Sequence, residues 1–167
     1  MRRFFVLLAI AVCFFSVAGM VSAQDDVKKY PSCKHCGMDR EAFAYSRMLI
    51  EYTDGTTTGT CSIRCAAVDL AVNTDKTPKA VMVGDYNSKA LLDAKKAIWV
   101  AGGNKTGVMT GNAKWAFAQK RDAEQFIAEN GGKITNYDAA LKAAYKDLDP
   151  DTKKMIREKG KKRKTEQ

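Results

Sequence analysis

The sequence predicts an α+β fold: two small ββαβ lobes forming an internal structural repeat, followed by a C-terminal helix and a basic tail. Two observations carry this prediction. The order strand, strand, helix, strand can be read twice along the chain, and each copy joins its first two strands through glycine-bearing turn residues. Four cysteines, in the pairs Cys33/Cys36 and Cys61/Cys65, cluster in the first copy alone.

In the first copy, "AYSRMLIEY" (Ala44 to Tyr52) is rich in aromatic and branched residues and reads as a strand. "TDGT" (Thr53 to Thr56) follows, a strong hairpin signal, and "TTTGTC" returns as the second strand. Ser62 is a suitable cap for a helix reaching Ala71, with Ile63, Ala66, Ala67 and Leu70 on one apolar stripe. "KAVMVG" (Lys79 to Gly84) reads as a short buried strand. Ser88 to Lys95 reads as a loop or a helical turn.

The second copy repeats the plan. "KAIWVAG" (Lys96 to Gly102) is a strand, Gly102, Gly103 and Gly107 punctuate a loop, and "AKWAFA" (Ala113 to Ala118) returns. "QKRDAEQFIAENGG" is a helix with Ala123, Phe126 and Ile127 inward and Gly131 as its stop. "KITNY" (Lys133 to Tyr137) is the last strand, and "DAALKAAYKDL" (Asp138 to Leu148) is the closing helix. The expected divisions are a signal peptide at 1–23, a Cys-rich metal-binding lobe at 24–84, a second lobe plus helix at 85–148, and a disordered basic tail at 149–167.

Compartment follows from the first 23 residues. Arg2 and Arg3 precede an apolar run from Phe4 to Val17, and "VSA" at Val21 to Ala23 places small residues before a cleavage site. The run is short for an uncleaved anchor. Val12 stands where a lipobox wants Gly or Ala, which disfavours a lipid anchor on Cys13. The expectation is an exported, periplasmic protein whose mature chain starts at Gln24. The formal charge of +9 is unevenly placed, because Asp151 to Gln167 holds eight Lys/Arg against three Asp/Glu. The body is therefore nearly neutral. The tail suits a solvated end with weak contact to an anionic membrane surface or acidic partner, and an exported chain argues against nucleic acid.

Exported cysteines in even number ordinarily signal disulfides. Here Cys33-x₂-Cys36 lies on a loop with Gly37, and Cys61-x₃-Cys65 spans a strand end and a helix start. A knuckle facing a helix start is a ligand layout of small zinc modules. A redox pair of the thioredoxin type lacks its preceding strand and following long helix. Met38 shifts the expected ion, since thiolate with thioether is the soft combination that selects Cu(I). Met109, in the glycine-bracketed "GNKTGVMTGNAKW", is a second thioether candidate. His35 is either a further ligand or a solvated loop residue. Met48, Met82 and Met155 fall in strand or helix patterns and read as packing or surface residues. No nucleophile–base pair and no phosphate-cradling loop is evident, so a binding protein is expected rather than an enzyme.

"CKHCGM", the "TDGT" hairpin, "CSIRCAAVDL", the "GVMTG" loop and "AKWAFAQKRDAEQFIAENGGKI" together resemble the NosL-type periplasmic copper-chaperone family over roughly residues 30 to 140. That resemblance implies two ββαβ lobes related in topology to organomercurial lyase, and assistance to copper-site assembly in nitrous oxide reductase. It also implies Cu(I) ligation by Cys36 and Met38 of the Cys-Gly-Met motif and by Met109. Cys61 and Cys65 resemble the Cys-x₃-Cys half of the TRASH motif. With Cys33 and Cys36 they suggest a four-thiolate site for zinc or for more than one Cu(I). The leading expectation is thus a Cu(I) metallochaperone with a client apo-cuproenzyme. The alternatives are a structural zinc or disulfide module acting in protein interaction and, third, a lyase-like thiolate enzyme.

Overall fold

The computed structural model describes residues 25–165. The expected signal peptide, including Cys13, lies outside the described residues. A short helix α1 (Asp25–Lys29) leads into the cysteine knuckle. Strands β1 (Met48–Tyr52) and β2 (Thr57–Thr60) form the hairpin, helix α2 (Ile63–Val72) follows, and β3 (Pro78–Gly84) and β4 (Leu91–Asp93) complete an antiparallel sheet of order β2-β1-β3-β4. Strands β5 (Ile98–Ala101) and β6 (Lys114–Phe117), helix α3 (Lys120–Asn130) and β7 (Lys133–Thr135) form a second sheet of order β6-β5-β7. In both sheets the strand after the helix returns antiparallel to the first strand of its copy, as in Ile50↔Val81 and Val100↔Ile134. The expected α+β architecture with a repeated ββαβ topology is therefore present.

Local chemistry explains the hairpin. Gly55 holds φ +83 in the turn, a left-handed conformation that a Cβ penalises, and Tyr52 and Thr56 close it with a 2.9 Å backbone bond. On β1 the side chains alternate. Met48, Ile50 and Tyr52 enter a core with Ile63, Ala66 and Ala67 of α2, Trp99 and Ala116 of the second sheet, and Tyr137, Ala140 and Ala144 of the final helix. Full burial of an Ile or Met side chain stabilises by roughly 1.5–3 kcal/mol. This core therefore joins both copies. Asp85, after β3, adds a polar tie by accepting the backbone N–H of Ala118, after β6, at 2.8 Å.

Four expectations are corrected. The first strand starts at Met48 because residues 41–46 form turns, with Phe43 and Glu41 carbonyls accepting from Arg47, Ser46 and Ala44. Ser62 occupies the helix-start position of α2, yet its hydroxyl makes no capping bond; it is buried beside the Cys61 sulfur. Residues 91–93 form β4, because the Leu91–Leu92 pair can shield apolar surface by pairing with Val83 and Gly84. The tail expected to be disordered is helical through Thr165: helix α4 (Tyr137–Thr165) continues past Pro150. Proline removes one helix N–H, but Thr152 Oγ1 reaches the Leu148 carbonyl at 2.6 Å and Lys153 pairs with Asp149 at 2.8 Å across that turn. Among the described residues no helix is long and apolar enough to cross a membrane.

Candidate metal centre

Residues 33–38 fold as a tight knuckle. The Cys33 N–H donates to the Met38 carbonyl at 2.8 Å, and the Gly37 N–H donates back to the Cys33 carbonyl at 2.9 Å. Gly37 holds φ +75 with open space around the missing side chain, so the backbone conformation alone selects glycine there. The Lys34 N–H donates to the Gly59 carbonyl at 3.0 Å, docking the knuckle on β2. Just downstream, Arg40 is fully buried and clasps the base of the knuckle to α1 and the hairpin. It donates to the carbonyls of Tyr30 (2.6 Å), Thr60 (3.1 Å) and Met48 (3.0 Å), and to Asp26 Oδ2 (2.7 Å). Arg47 grips the same carboxylate at 2.8 Å. Burial alone would raise the Asp26 pKa; the bonds and charges of Arg47 and Arg40 outweigh it and hold the carboxyl below its ordinary value.

The second cysteine pair arrives from β2 and α2. Cys61 directly follows the strand, where its carbonyl accepts from Ser46 Oγ at 2.8 Å, and Cys65 sits in the first turn of α2. The sulfurs of Cys33, Cys36, Cys61 and Cys65 all lie within 4.8 Å of one another. Cys36 Sγ is 3.5 Å from Cys61 Sγ and 3.8 Å from Cys65 Sγ, and Cys61 to Cys65 is 3.7 Å. These separations far exceed the S–S bond of about 2 Å, so four thiols stand together. Cys33, Cys61 and Cys65 are buried, while Cys36 is partly exposed.

Contacts from the Cys61 and Cys65 thiols hold Cys33 far below the ordinary thiol range, helped by the backbone N–H groups of His35 and Cys61. The same contact with Cys33, together with burial, pushes Cys61 and Cys65 upward. A thiolate is the form that ligates a soft ion. The start of α2 adds a favourable dipole for negative sulfur.

Met38 and Met109 are half-buried and pack against the same cluster as the cysteines, alongside Trp115, Phe117 and Phe126. Four thiols and two thioethers are thus gathered on one core. His35 is placed elsewhere: its Nε2 lies 2.8 Å from Asp69 Oδ1, and Asp69 Oδ2 accepts the hydroxyl hydrogen of Tyr52 at 2.5 Å. The imidazole is engaged by a buried carboxylate on α2, which makes it a docking contact for the knuckle and not a member of the sulfur group.

The NosL family profile matches residues 24–144. The chain belongs to the NosL family. Among solved structures, the copper chaperone NosL from Shewanella denitrificans is similar at 28% identity and a TM-score of 0.51, over 64% of this chain and 87% of that one. No curated protein matches the chain. That NosL structure is a chaperone, so family membership accords with reading this chain as a binding protein rather than an enzyme.

Several residues of this NosL-family site escape a reading of the sequence. Asp69, one helical turn after Cys65, carried a positional signal: i+4 spacing puts it on the cysteine face of α2. Trp115 is 1% exposed in the cysteine cluster, and its indole Nε1 has no hydrogen-bond partner. Arg64, immediately before Cys65, is buried and faces Asp151 of α4. No spacing rule links residues 64 and 151.

Proposed function

We propose that the chain is a periplasmic Cu(I) metallochaperone that hands copper to an exported apo-cuproenzyme such as nitrous oxide reductase. The observation that carries this reading is the convergence of four free thiols with two thioethers on one core. Such an all-sulfur donor set suits a soft monovalent ion. The copper chaperone similar to this chain supports the choice of copper. The proposed ligands are Cys36, Met38 and Met109, with Cys33, Cys61 and Cys65 completing the sulfur environment.

Transfer requires no covalent catalysis. Cu(I) binds two or three sulfurs comfortably, so the four adjacent thiols, with Met38 and Met109 packed on the same cluster, allow one bond to be exchanged before the next is lost. Cys36 is the least buried of the four clustered thiols, and an incoming client ligand meets it first. The buried thiols retain the ion until that exchange occurs. The expected leader sequence places this handover outside the cytoplasm, where the thiols need the metal or a reductant to escape oxidation.

The knuckle geometry also favours a second reading. A Cys-x₂-Cys turn with backbone N–H groups aimed at Cys33, opposed by Cys-x₃-Cys, can hold zinc in a four-thiolate structural site. Competition separates the two. Reduced protein titrated with Cu(I) against a chromogenic Cu(I) chelator should withdraw copper from the chelator, even when preloaded with zinc. Zinc retained through a Cu(I) challenge, with no copper uptake, would instead support the structural module.

A further inference from the structure

Met109 stands at the tip of the loop joining β5 to β6 with φ +61, a left-handed backbone. For a residue bearing a Cβ that conformation costs about 1–2 kcal/mol. It persists only where neighbouring structure dictates it. Before Met109 the loop is tied to the end of α3, the Asn104 N–H donating to the Asn130 carbonyl at 2.7 Å; after Met109 its restraint comes from helix α4. The Gly111 N–H donates to Asp151 Oδ1 at 3.0 Å. One turn earlier on the same helix, Asp147 Oδ2 accepts from Asn112 Nδ2 at 3.1 Å and from Lys114 Nζ at 2.6 Å. Asp147 and Asp151 thus hold the loop from a single helix face, by its residues on the C-terminal side of Met109.

The second oxygen of Asp151 points at α2. Its Oδ2 lies 3.8 Å from Nε of Arg64, and Arg64 Nη2 donates to Thr152 Oγ1 at 3.0 Å. Arg64 and Asp151 are only 7% and 8% exposed, and the two facing atoms have no other partner. A single buried carboxylate therefore bridges the Met109 loop and the helix that carries Cys65. Carboxylate and guanidinium are hard or cationic groups with no affinity for a soft ion, so their contribution to the sulfur site is geometric.

We infer that Asp151 is a positioning residue that sets the Met109 thioether against the cysteine cluster, and that α4 is the strut through which copper retention is controlled. The inference rests on the proposed Cu(I) function. The Asp151–Gly111 bond governs the thioether contribution, while the Asp151–Arg64 pair governs stability. Asp151→Asn keeps a side-chain oxygen for Gly111 and loses the charge opposite Arg64. Asp151→Ala loses both.

The test measures Cu(I) affinity of the reduced full chain, by chelator competition, in wild type, Asp151→Asn, Asp151→Ala, Met109→Leu and the Asp151→Ala/Met109→Leu double variant. Cd²⁺ binding, read by its thiolate charge-transfer absorption, serves as the thiol-only control, and circular dichroism reports folding. We expect Asp151→Ala and Met109→Leu each to weaken Cu(I) about tenfold, with no further loss in the double variant. Cd²⁺ binding stays at the wild-type level, and Asp151→Asn retains near-native Cu(I) affinity with a lower melting temperature. Equal loss of Cd²⁺ and Cu(I), additive losses in the double variant, or unchanged Cu(I) affinity in Asp151→Ala would each overturn the positioning role. If Asp151→Ala does not fold, Asp151→Asn decides: Cu(I) weakened as far as in Met109→Leu contradicts the inference. Wild-type protein that fails to bind Cu(I) at all refutes the chaperone reading itself.

Discussion

Cys36 Sγ and Cys61 Sγ lie 3.5 Å apart, although one sits on the knuckle and the other directly follows β2. Only Cys36 of the four thiols is partly exposed. An oxidant reaching the cluster meets Cys36 first, and Cys61 Sγ stands closer to it than Cys65 Sγ, at 3.5 Å against 3.8 Å. Treatment of the metal-free protein with diamide should join these two sulfurs, with the two thiol protons and two electrons passing to the azo bond of diamide, which becomes the hydrazine. Peptide mapping is expected to recover a Cys36–Cys61 disulfide, with Cu(I) uptake lost until a reductant is added. Prior loading with Cu(I) should protect the pair. Oxidation that leaves Cu(I) uptake intact contradicts this account of the site.

Asp26 gives the fold a sign-defined acid sensitivity. Its folded pKa is lowered: burial alone would raise it, but Arg47 and Arg40 prevail. A group with a depressed folded pKa contributes its stability above the unfolded value, about 3.9 for Asp. That contribution is lost as pH falls through the lower folded value. Denaturant unfolding should therefore show stability declining below about pH 4 in wild type, and a flatter acid limb in Asp26→Asn. At neutral pH, Asp26→Asn should cost about 3–5 kcal/mol, because it leaves two buried guanidinium groups without their carboxylate.

His35 bonds to Asp69 and stands outside the sulfur group. His35→Ala should accordingly leave Cu(I) stoichiometry unchanged and lower stability by about 1–3 kcal/mol, the cost of depriving buried Asp69 of a donor. Metal titration and thermal unfolding on the same preparation check both halves. Loss of a bound copper equivalent would return His35 to the ligand set.

Trp115 shares the cysteine cluster, whereas Trp99 lies in the other core against Tyr137. Cu(I) loading should change the indole emission, and most of that change should vanish in Trp115→Phe. An unchanged response in Trp115→Phe would mean that the metal binds away from this core.

The sequence carried the periodic features well. Hydrophobic patterning located β1, β5, β6, α2 and α3, and Cys spacing located the two halves of the sulfur group. It did so because each signal is local, spanning a few residues with a fixed geometric period. Long-range polar contacts were invisible for the opposite reason. Arg40 and Arg47 converge on Asp26, and Asp151 reaches Gly111 and Arg64, through pairings that only the folded chain creates. His35 was ambiguous in sequence because its nearness to Cys36 and its partner Asp69 compete, and only the packing of the knuckle on α2 decides. The basic tail reads as solvated by composition, but α4 carries it onward as helix from a body packed on Ala140 and Ala144.

X-ray absorption at the copper edge of the Cu(I)-loaded protein tests the central claim most directly. The account predicts a first shell made of sulfur, with a short thiolate distance and a longer thioether distance, the latter diminished in Met109→Leu and the former altered in Cys36→Ser. A shell dominated by nitrogen or oxygen, or one unchanged by both substitutions, would contradict it.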